Sequence, residues 1–277
     1  MIAPDHLFLR VLRAGFGAAL ITALILPLIP LGIWSVAHGW RFPALLPQGW
    51  TWAAWGYALS PTAGVRRSLA LTVWIAVCVT VLSVLIGLPA GRALGLGRFR
   101  GKGLVQVILL APLIVPGIAV GLGLQGLFTG LGLTQTVTGV VLVHLIPTLP
   151  YVVLVLAGVF ANYDTGFEDQ ARSLGASPWQ VLWHVTLPAV RAGLIVAALF
   201  GFLVSWGQYL LTLLIGGGRV LTMPLLLFNF AGAGRNDITG AIGVIYILPG
   251  VLVLILTARL VTGIGDSGRG AGMVGRL

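Results

Sequence analysis

Residues Glu168–Pro188 read EDQARSLGASPWQVLWHVTLP, a polar interruption between two long apolar runs. The chain's six acidic residues are Asp5, Asp164, Glu168, Asp169, Asp237 and Asp266, and three of them stand at the entrance to this stretch. Thr165-Gly-Phe-Glu168 has the spacing of a capping box, with the hydroxyl accepting from the amide at 168 and Glu168 reaching back. Glu168 and Asp169 also suit the positive end of a helix dipole. The spacing predicts a short helix over about Gly166–Leu174, stopped by a left-handed Gly175. Ser177 then caps a second helix with Pro178 at its first position. That helix is expected to run to about Val185, with Pro188 marking the return to apolar sequence. Ala171, Ser173 and Ala176 keep the turn slim enough for a partner to approach.

The surroundings decide which solvent the rest of the chain meets. Of 277 residues, 58% are hydrophobic and 8% charged, and mean hydropathy is +1.06. Soluble domains carry about 25% charged residues, so lipid is the natural solvent for most of this surface. Apolar runs of about 20 residues mark six expected spans: roughly Val11–Val36, Ser68–Leu94, Leu104–Phe128, Val137–Phe160, Ala192–Ile215 and Gly240–Val261. The first run, with Pro27 and Pro30 and no convincing cleavage site, reads as a retained helix. The segment Met223–Phe230 is too short to span and reads as a re-entrant or interfacial helix.

The net charge of +10 is read by position rather than as a sign of nucleic acid. With the N-terminus inside, Arg41, Arg66, Arg67, Arg219 and Arg235 fall outside and the other eleven of sixteen basic residues fall inside. The bias puts both termini and the opening stretch in the cytoplasm. The outer segment His38–Val65 carries Trp40, Trp50, Trp52, Trp55 and Tyr57, as interfacial belts do. Gly87/Gly91, Gly117/Gly121 and Gly126/Gly130 have the spacing that lets helix backbones approach. Pro112, Pro116, Pro147, Pro150 and Pro249 break spans, which suits helices that enclose a path. Cys78 alone permits no intrachain disulfide.

Several chemistries are disfavoured. There is no Walker A pattern, and Gly121-Leu-Gly-Leu-Gln-Gly126 matches a dinucleotide motif only formally, without a preceding strand. His6, His38, His144 and His184 are dispersed and do not suggest a metal site. No charge lies deep in a drawn span, against an ion-coupled transporter. A stand-alone secondary transporter or channel is the alternative, and a membrane enzyme lacks a reactive constellation.

The opening stretch resembles the EAA motif of permease subunits of binding-protein-dependent ABC importers. The family pattern is E-A-A, three residues, G, nine residues, I-x-L-P. Here Asp169-Gln170-Ala171, Gly175 and Val185-Thr186-Leu187-Pro188 keep every interval, with Asp for Glu, Gln for Ala and Val for Ile. The resemblance extends over about Arg67–Thr262. It implies an all-α integral membrane protein: the six-helix, methionine-importer-like type I ABC importer transmembrane domain with a cytoplasmic coupling helix. Its parts are a first helix and outer loop (1–66), a permease core (67–262, coupling loop about 161–190) and a cytoplasmic tail (263–277). It further implies a bacterial inner-membrane location and transport, not catalysis.

The implied partners are an ABC ATPase dimer, a second permease subunit (related or identical), a periplasmic or lipid-anchored substrate-binding protein and membrane lipid, with no nucleic acid. This chain is expected to bind no cofactor, ATP and Mg being used by the ATPase. The implied ATPase-coupling residues are Glu168, Asp169, Gln170, Ala171, Leu174, Gly175, Ala176, Ser177, Pro178, Leu187 and Pro188, with Asp169 helping to hold the loop. The look of the last two spans is similar to permeases for polyamines, iron, thiamine and aminophosphonates. Ser205-Trp-Gly-Gln-Tyr209 lacks the carboxylate that a polycation requires in a low-dielectric site, which counts against a polyamine. Gln125, Ser205, Trp206, Gln208, Tyr209 and Tyr246 are the candidate path residues. The competing account is that each joins helices, and His144, beside Pro147, fits packing best.

Overall fold

The computed structural model describes residues 15–273 apart from 21, 24, 41 and 42, with side chains as far as 262. Contacts divide the chain into two compact units. One comprises the described residues of Met1–Arg66 with Leu226–Leu248, the other those of Arg67–Leu225 with Pro249–Leu277.

In the first unit, α1 (Leu28–Val36) leads into β1 (Ala37–His38), paired antiparallel with β2 (Gly49–Trp50). Next come α2 (Ala53–Leu59) and a 3-10 turn over Pro61–Ala63. Trp34 meets Trp40 and Trp52 meets Trp55 at ring-centroid distances of 5.9 and 6.5 Å. Part of the expected first span, Val11–Val36, lies outside the described residues.

The second unit is a helix bundle. Its first helix, α3 (Val65–Leu96), begins after left-handed Gly64. The expected third span does not run straight. It consists of α4 (Lys102–Ile114) and α5 (Gly117–Gly130), bent by 101°. Pro116 explains the break: it has no N–H to continue α4 and pushes Val115 into extended backbone. The formal dinucleotide motif lies inside α5, directly after helix α4 rather than a strand.

Thr136 caps α6 (Val137–Ala161) through its hydroxyl, which accepts from Gly139 N at 2.9 Å. Then follow α7 (Gly166–Ser173), α8 (Pro178–Val181), a π-helical turn over Leu182–Thr186, and α9 (Leu187–Trp206). The last three are continuous, so the expected fifth span is displaced: the helix begins at Pro178 and ends at Trp206. Gly207 stops it, and α10 (Leu210–Gly216) is a separate short helix. Met223–Phe230 is helical as expected, within α11 (Met223–Gly232), which falls in the first unit from Leu226 on; α12 (Asn236–Met273) belongs to the first unit as far as Leu248 and to the second from Pro249. Val65–Leu96, Val137–Ala161, Pro178–Trp206 and Asn236–Thr262 are each long and apolar enough to cross a membrane, and the α4–α5 pair makes a fifth crossing if counted as one.

α6 is the core of the bundle. Val140, Val143, Val152, Leu156 and Phe160 are fully buried along it. Gly87, Gly91 and Gly95 of α3 lie flush against Val152, Leu156 and Phe160. On the other side, Gly193 of α9 receives Val159. Gly121 faces Leu214, but Gly126 and Gly130 face open space, so the third expected glycine pair has no neighbour to admit. Elsewhere the long helices expose large apolar side chains such as Trp74, Leu85 and Ile108, as expected of surfaces solvated by lipid tails.

Candidate coupling site

The sequence between α6 and α9 folds as two short helices around a glycine turn. Gly175 takes φ +88°. Its amide donates to Arg172 O at 2.9 Å and that of Ala176 to Ala171 O at 3.0 Å. These two bonds form a complete Schellman stop. Ser177 caps α8 in a reciprocal capping box with Gln180, with Ser177 N to Gln180 Oε1 at 2.8 Å. Each such cap contributes about 1 kcal/mol.

The other expected capping box does not form. Thr165 makes no side-chain cap, and Asp164 Oδ1 accepts from Gly166 N at 2.8 Å instead. Glu168 cannot reach back because its carboxylate is engaged elsewhere. Arg92, at the far end of α3, grips it with both nitrogens, Nη1 to Oε1 at 2.6 Å and Nη2 to Oε2 at 2.7 Å. Thr186 Oγ1 donates to Oε1 at 2.8 Å, and Arg172 Nη2 approaches Oε2 at 3.1 Å. The Arg92 guanidinium carbon lies 5.7 Å from the Phe160 ring centroid, and Tyr163 meets that ring edge-on. Glu168 is 1% exposed, a buried carboxylate with an ionic bidentate partner and a hydroxyl to satisfy it.

This geometry revises the expected roles. Glu168 faces inward and holds the loop. Asp169, expected to hold it, is exposed and, among the described residues, forms its ion pair with Arg172 of its own helix, at 3.0 Å. Gln170, Leu174, Gly175, Ser177 and Pro178 are exposed, and Ala171, Ala176 and Leu187 half-buried. Leu174 is 89% exposed at the tip, outside every candidate span. Phe167, Trp179 and Trp183 are also exposed. The two tryptophans pack edge to face at 5.8 Å. None of the three was among the expected coupling residues, although the 179/183 spacing places the two tryptophans on one helix face.

Pro188 does not end a helix here. It sits just inside α9, after the π turn, where the amide of Leu187 bonds to Leu182 O, five residues back. The widened turn accommodates the missing N–H and the ring of Pro188 within a continuous helix.

The hydrogen bonds from Arg92, with a smaller one from Thr186, lower the Glu168 pKa to about 2. A carboxyl that titrates lower in the folded loop stabilises it above the unfolded value of about 4.3, and that contribution is lost as pH falls through the folded value. Amide exchange at 166–173, corrected for intrinsic rate, is therefore expected to hold constant from pH 7 to 5. It is expected to rise only below about pH 4. Glu168→Gln should remove most of that rise.

The candidate path residues differ in burial and in partners. Ser205 is buried and bonds His144 Nδ1 at 3.0 Å, while His144 Nε2 meets Thr212 Oγ1 at 2.9 Å. His144, 1% exposed, joins α6, α9 and α10, the packing role expected of it, and Ser205 shares that role. Trp206 is buried and stacks on Phe202 at 5.5 Å. Gln208 borders a cleft of about 100 Å³ with Pro112, Gly117 and Pro147. Gln125 is exposed on α5, and Tyr209 is half-buried. Tyr246 belongs to the other compact unit.

Comparison with known proteins bears on this arrangement. The family model described as "Binding-protein-dependent transport system inner membrane component" matches residues 83–264. The putrescine transport system permease protein PotI of Escherichia coli K12 is 26% identical over 71% of this chain and 75% of its own length. The molybdenum transport system permease protein ModB of Mycobacterium bovis is 31% identical over 62% and 71%. The putative 2-aminoethylphosphonate transport system permease protein PhnV of Salmonella paratyphi A is 27% identical over 89% and 92%. Among solved structures, a bacterial ABC transporter involved in import of the acidic polysaccharide alginate has a chain that superposes with TM-score 0.71 at 21% identity, covering 94% of this chain and 98% of that one. The MetNI methionine ABC transporter in an inward-facing form gives TM-score 0.55 at 19% identity, covering 74% and 99%. The fold is thus that of type I ABC importer membrane domains.

Proposed function

This chain belongs to the inner membrane components of binding-protein-dependent transport systems, and from that premise we propose that its 161–190 segment is the coupling helix through which a partner ATPase drives alternating access for a small polar solute. The permease role follows from the family; the coupling path and the solute class are our reading. The observation that carries it is the tip of the loop. Leu174 and Gly175 protrude beyond the candidate spans, capped on both sides and anchored beneath by buried Glu168. Phe167, Leu174, Trp179 and Trp183 are all exposed in this segment outside or at the start of a span, and large apolar and aromatic side chains left uncovered together suit a groove on another protein.

The loop would lie in the cytoplasm, with both termini, as the basic residues favour. ATP and Mg would be used by an ATPase dimer that docks there. A second permease would complete the pathway, and a periplasmic or lipid-anchored binding protein would deliver the solute. The solutes named for PotI, ModB and PhnV differ in charge and size, so they assign none to this chain. The 205–209 run carries no carboxylate, so a polycation would lie uncompensated there and a neutral polar solute is favoured.

The test is co-expression with the cognate ATPase. The two are expected to co-purify, and loaded binding protein is expected to stimulate ATP hydrolysis. Ion-gradient-driven flux through the purified single chain would favour the secondary-transporter alternative instead. Gly175→Val is the sharp variant. No atom lies within 4 Å of an added Cβ, so the whole cost is backbone strain of about 1–2 kcal/mol at φ +88°. The turn is expected to open and both assembly and transport to fall. Survival of both would end the coupling assignment.

A further inference from the structure

We propose that Arg92, Glu168 and Thr186 form one mechanical joint that makes α3 and α9 move with the coupling helix, so that Glu168 and Arg92 are positioning residues for transport rather than contacts with the ATPase. The inference rests on the coupling reading above and adds to it how displacement of the loop reaches the membrane helices.

Three elements meet at a single carboxylate. Glu168 is the third residue of α7, Arg92 lies near the end of α3, and Thr186 closes the π turn that feeds α9. The contacts span 76 residues of sequence on one side and 18 on the other. A bidentate guanidinium–carboxylate pair fixes both distance and orientation, which a single hydrogen bond does not. The remaining links of α7 to the bundle are short and local: Leu174 is exposed and Asp169 pairs within its own helix. The hydrogen bonds at the helix entry are local too: Asp164 Oδ1 accepts from Gly166 N, and Thr165 O accepts from the amides of Glu168 and Asp169. Displacement of α7 therefore reaches α3 chiefly through Arg92. It reaches α9 through Thr186, at the point where the widened π turn tolerates bending. Glu168 is too buried to touch a partner, so its role is exerted through these two residues.

Beyond the joint, the motion has somewhere to go. The Gly87, Gly91 and Gly95 face of α3 and Gly193 of α9 both lie flush on α6. Helices in such close backbone contact slide or tilt as bodies rather than deform.

The experiment measures solute transported per ATP hydrolysed in proteoliposomes holding the full complex. The variants are Glu168→Gln, Arg92→Gln, Thr186→Val and the double Arg92→Gln/Glu168→Gln. Loss of folded protein lowers transport and hydrolysis together and leaves the ratio unchanged, so the ratio isolates transmission. Each single substitution at 92 or 168 is expected to lower the ratio by about tenfold, within the range of site-to-site coupling. Thr186→Val is expected to lower it less. The double substitution is expected to cost no more than either single one, because both remove the same joint. A ratio within about twofold of wild type in Glu168→Gln and Arg92→Gln, or strictly additive losses in the double, would overturn the proposal. A wild-type complex that neither assembles nor couples overturns the underlying coupling reading instead, and is distinguished by failing before any substitution is made.

Discussion

Gly91→Leu is expected to prevent accumulation of a folded, monodisperse chain. A Cβ at Gly91 would stand 2.5 Å from Leu156 Cβ and 3.0 Å from the backbone nitrogen of Ala157. Backbone atoms cannot rotate away, so α3 and α6 must separate. Separation also lifts Gly87 off Val152 and Gly95 off Phe160, because one helix face carries all three contacts. Overpacking a core costs about 1–3 kcal/mol when side chains can adjust; here they cannot, and the cost is expected to exceed that range. In a membrane, van der Waals fit between helices is a main source of association, so lost contact is not recovered by burial elsewhere. Thermal unfolding of detergent-purified protein measures the effect. Gly126→Ala is the control: it lies mid-helix on α5 with nothing within 4 Å of an added Cβ, and its stability is expected to stay level or rise slightly.

Arg92→Met is expected to loosen the 161–190 loop without unfolding the bundle. Methionine preserves the apolar stem over Phe160 and removes the charge. Glu168, 2% exposed at its side chain, then keeps Thr186 and the more distant Arg172 but loses its bidentate partner. Stripping a buried carboxylate of its partner costs about 3–5 kcal/mol. The Arg92 side chain is 35% exposed, so water competes for it in the native protein, and about 2 kcal/mol is the expected loss. That corresponds to about a thirtyfold larger open population, read as faster limited proteolysis within 161–190 while the melting temperature of the helices changes little. Unchanged proteolysis would show that Arg172 and Thr186 hold the carboxylate by themselves.

Much of the architecture was legible because lipid solvation and backbone chemistry are local properties. Long apolar runs delimit α3 and α6 to within a few residues. The Gly175 stop and Ser177–Pro178 start were readable because a left-handed glycine and a preset proline φ act on their own segment. The misreadings have a common cause. Thr165-x-x-Glu168 satisfies a capping pattern locally, but a carboxylate offered a bidentate arginine from another helix takes the stronger partner. Likewise Pro116 and Pro188 look alike in sequence. One turns the chain by 101°, while the other is absorbed by a π turn into a continuous helix.

The candidate path shows the same limit. Ser205 is a polar residue in an apolar run, and nothing nearby in the chain reveals that its partner is His144, 61 residues earlier. The glycine spacing at 126/130 is as regular as that at 87/91, and only the neighbouring helix distinguishes the close contact from open space.

For this protein, composition and local spacing by themselves determined the membrane class, the family resemblance, and the two-helix turn with its Gly175 stop and Ser177 cap, since each depends on the solvent preference or backbone bias of adjacent residues. Tertiary structure decided that Glu168 faces inward to Arg92 and Thr186, leaving Leu174 and Gly175 as the exposed tip. The direction a side chain takes is set by which charged and apolar groups the packed helices bring within reach, and a single chain of letters does not carry that distance.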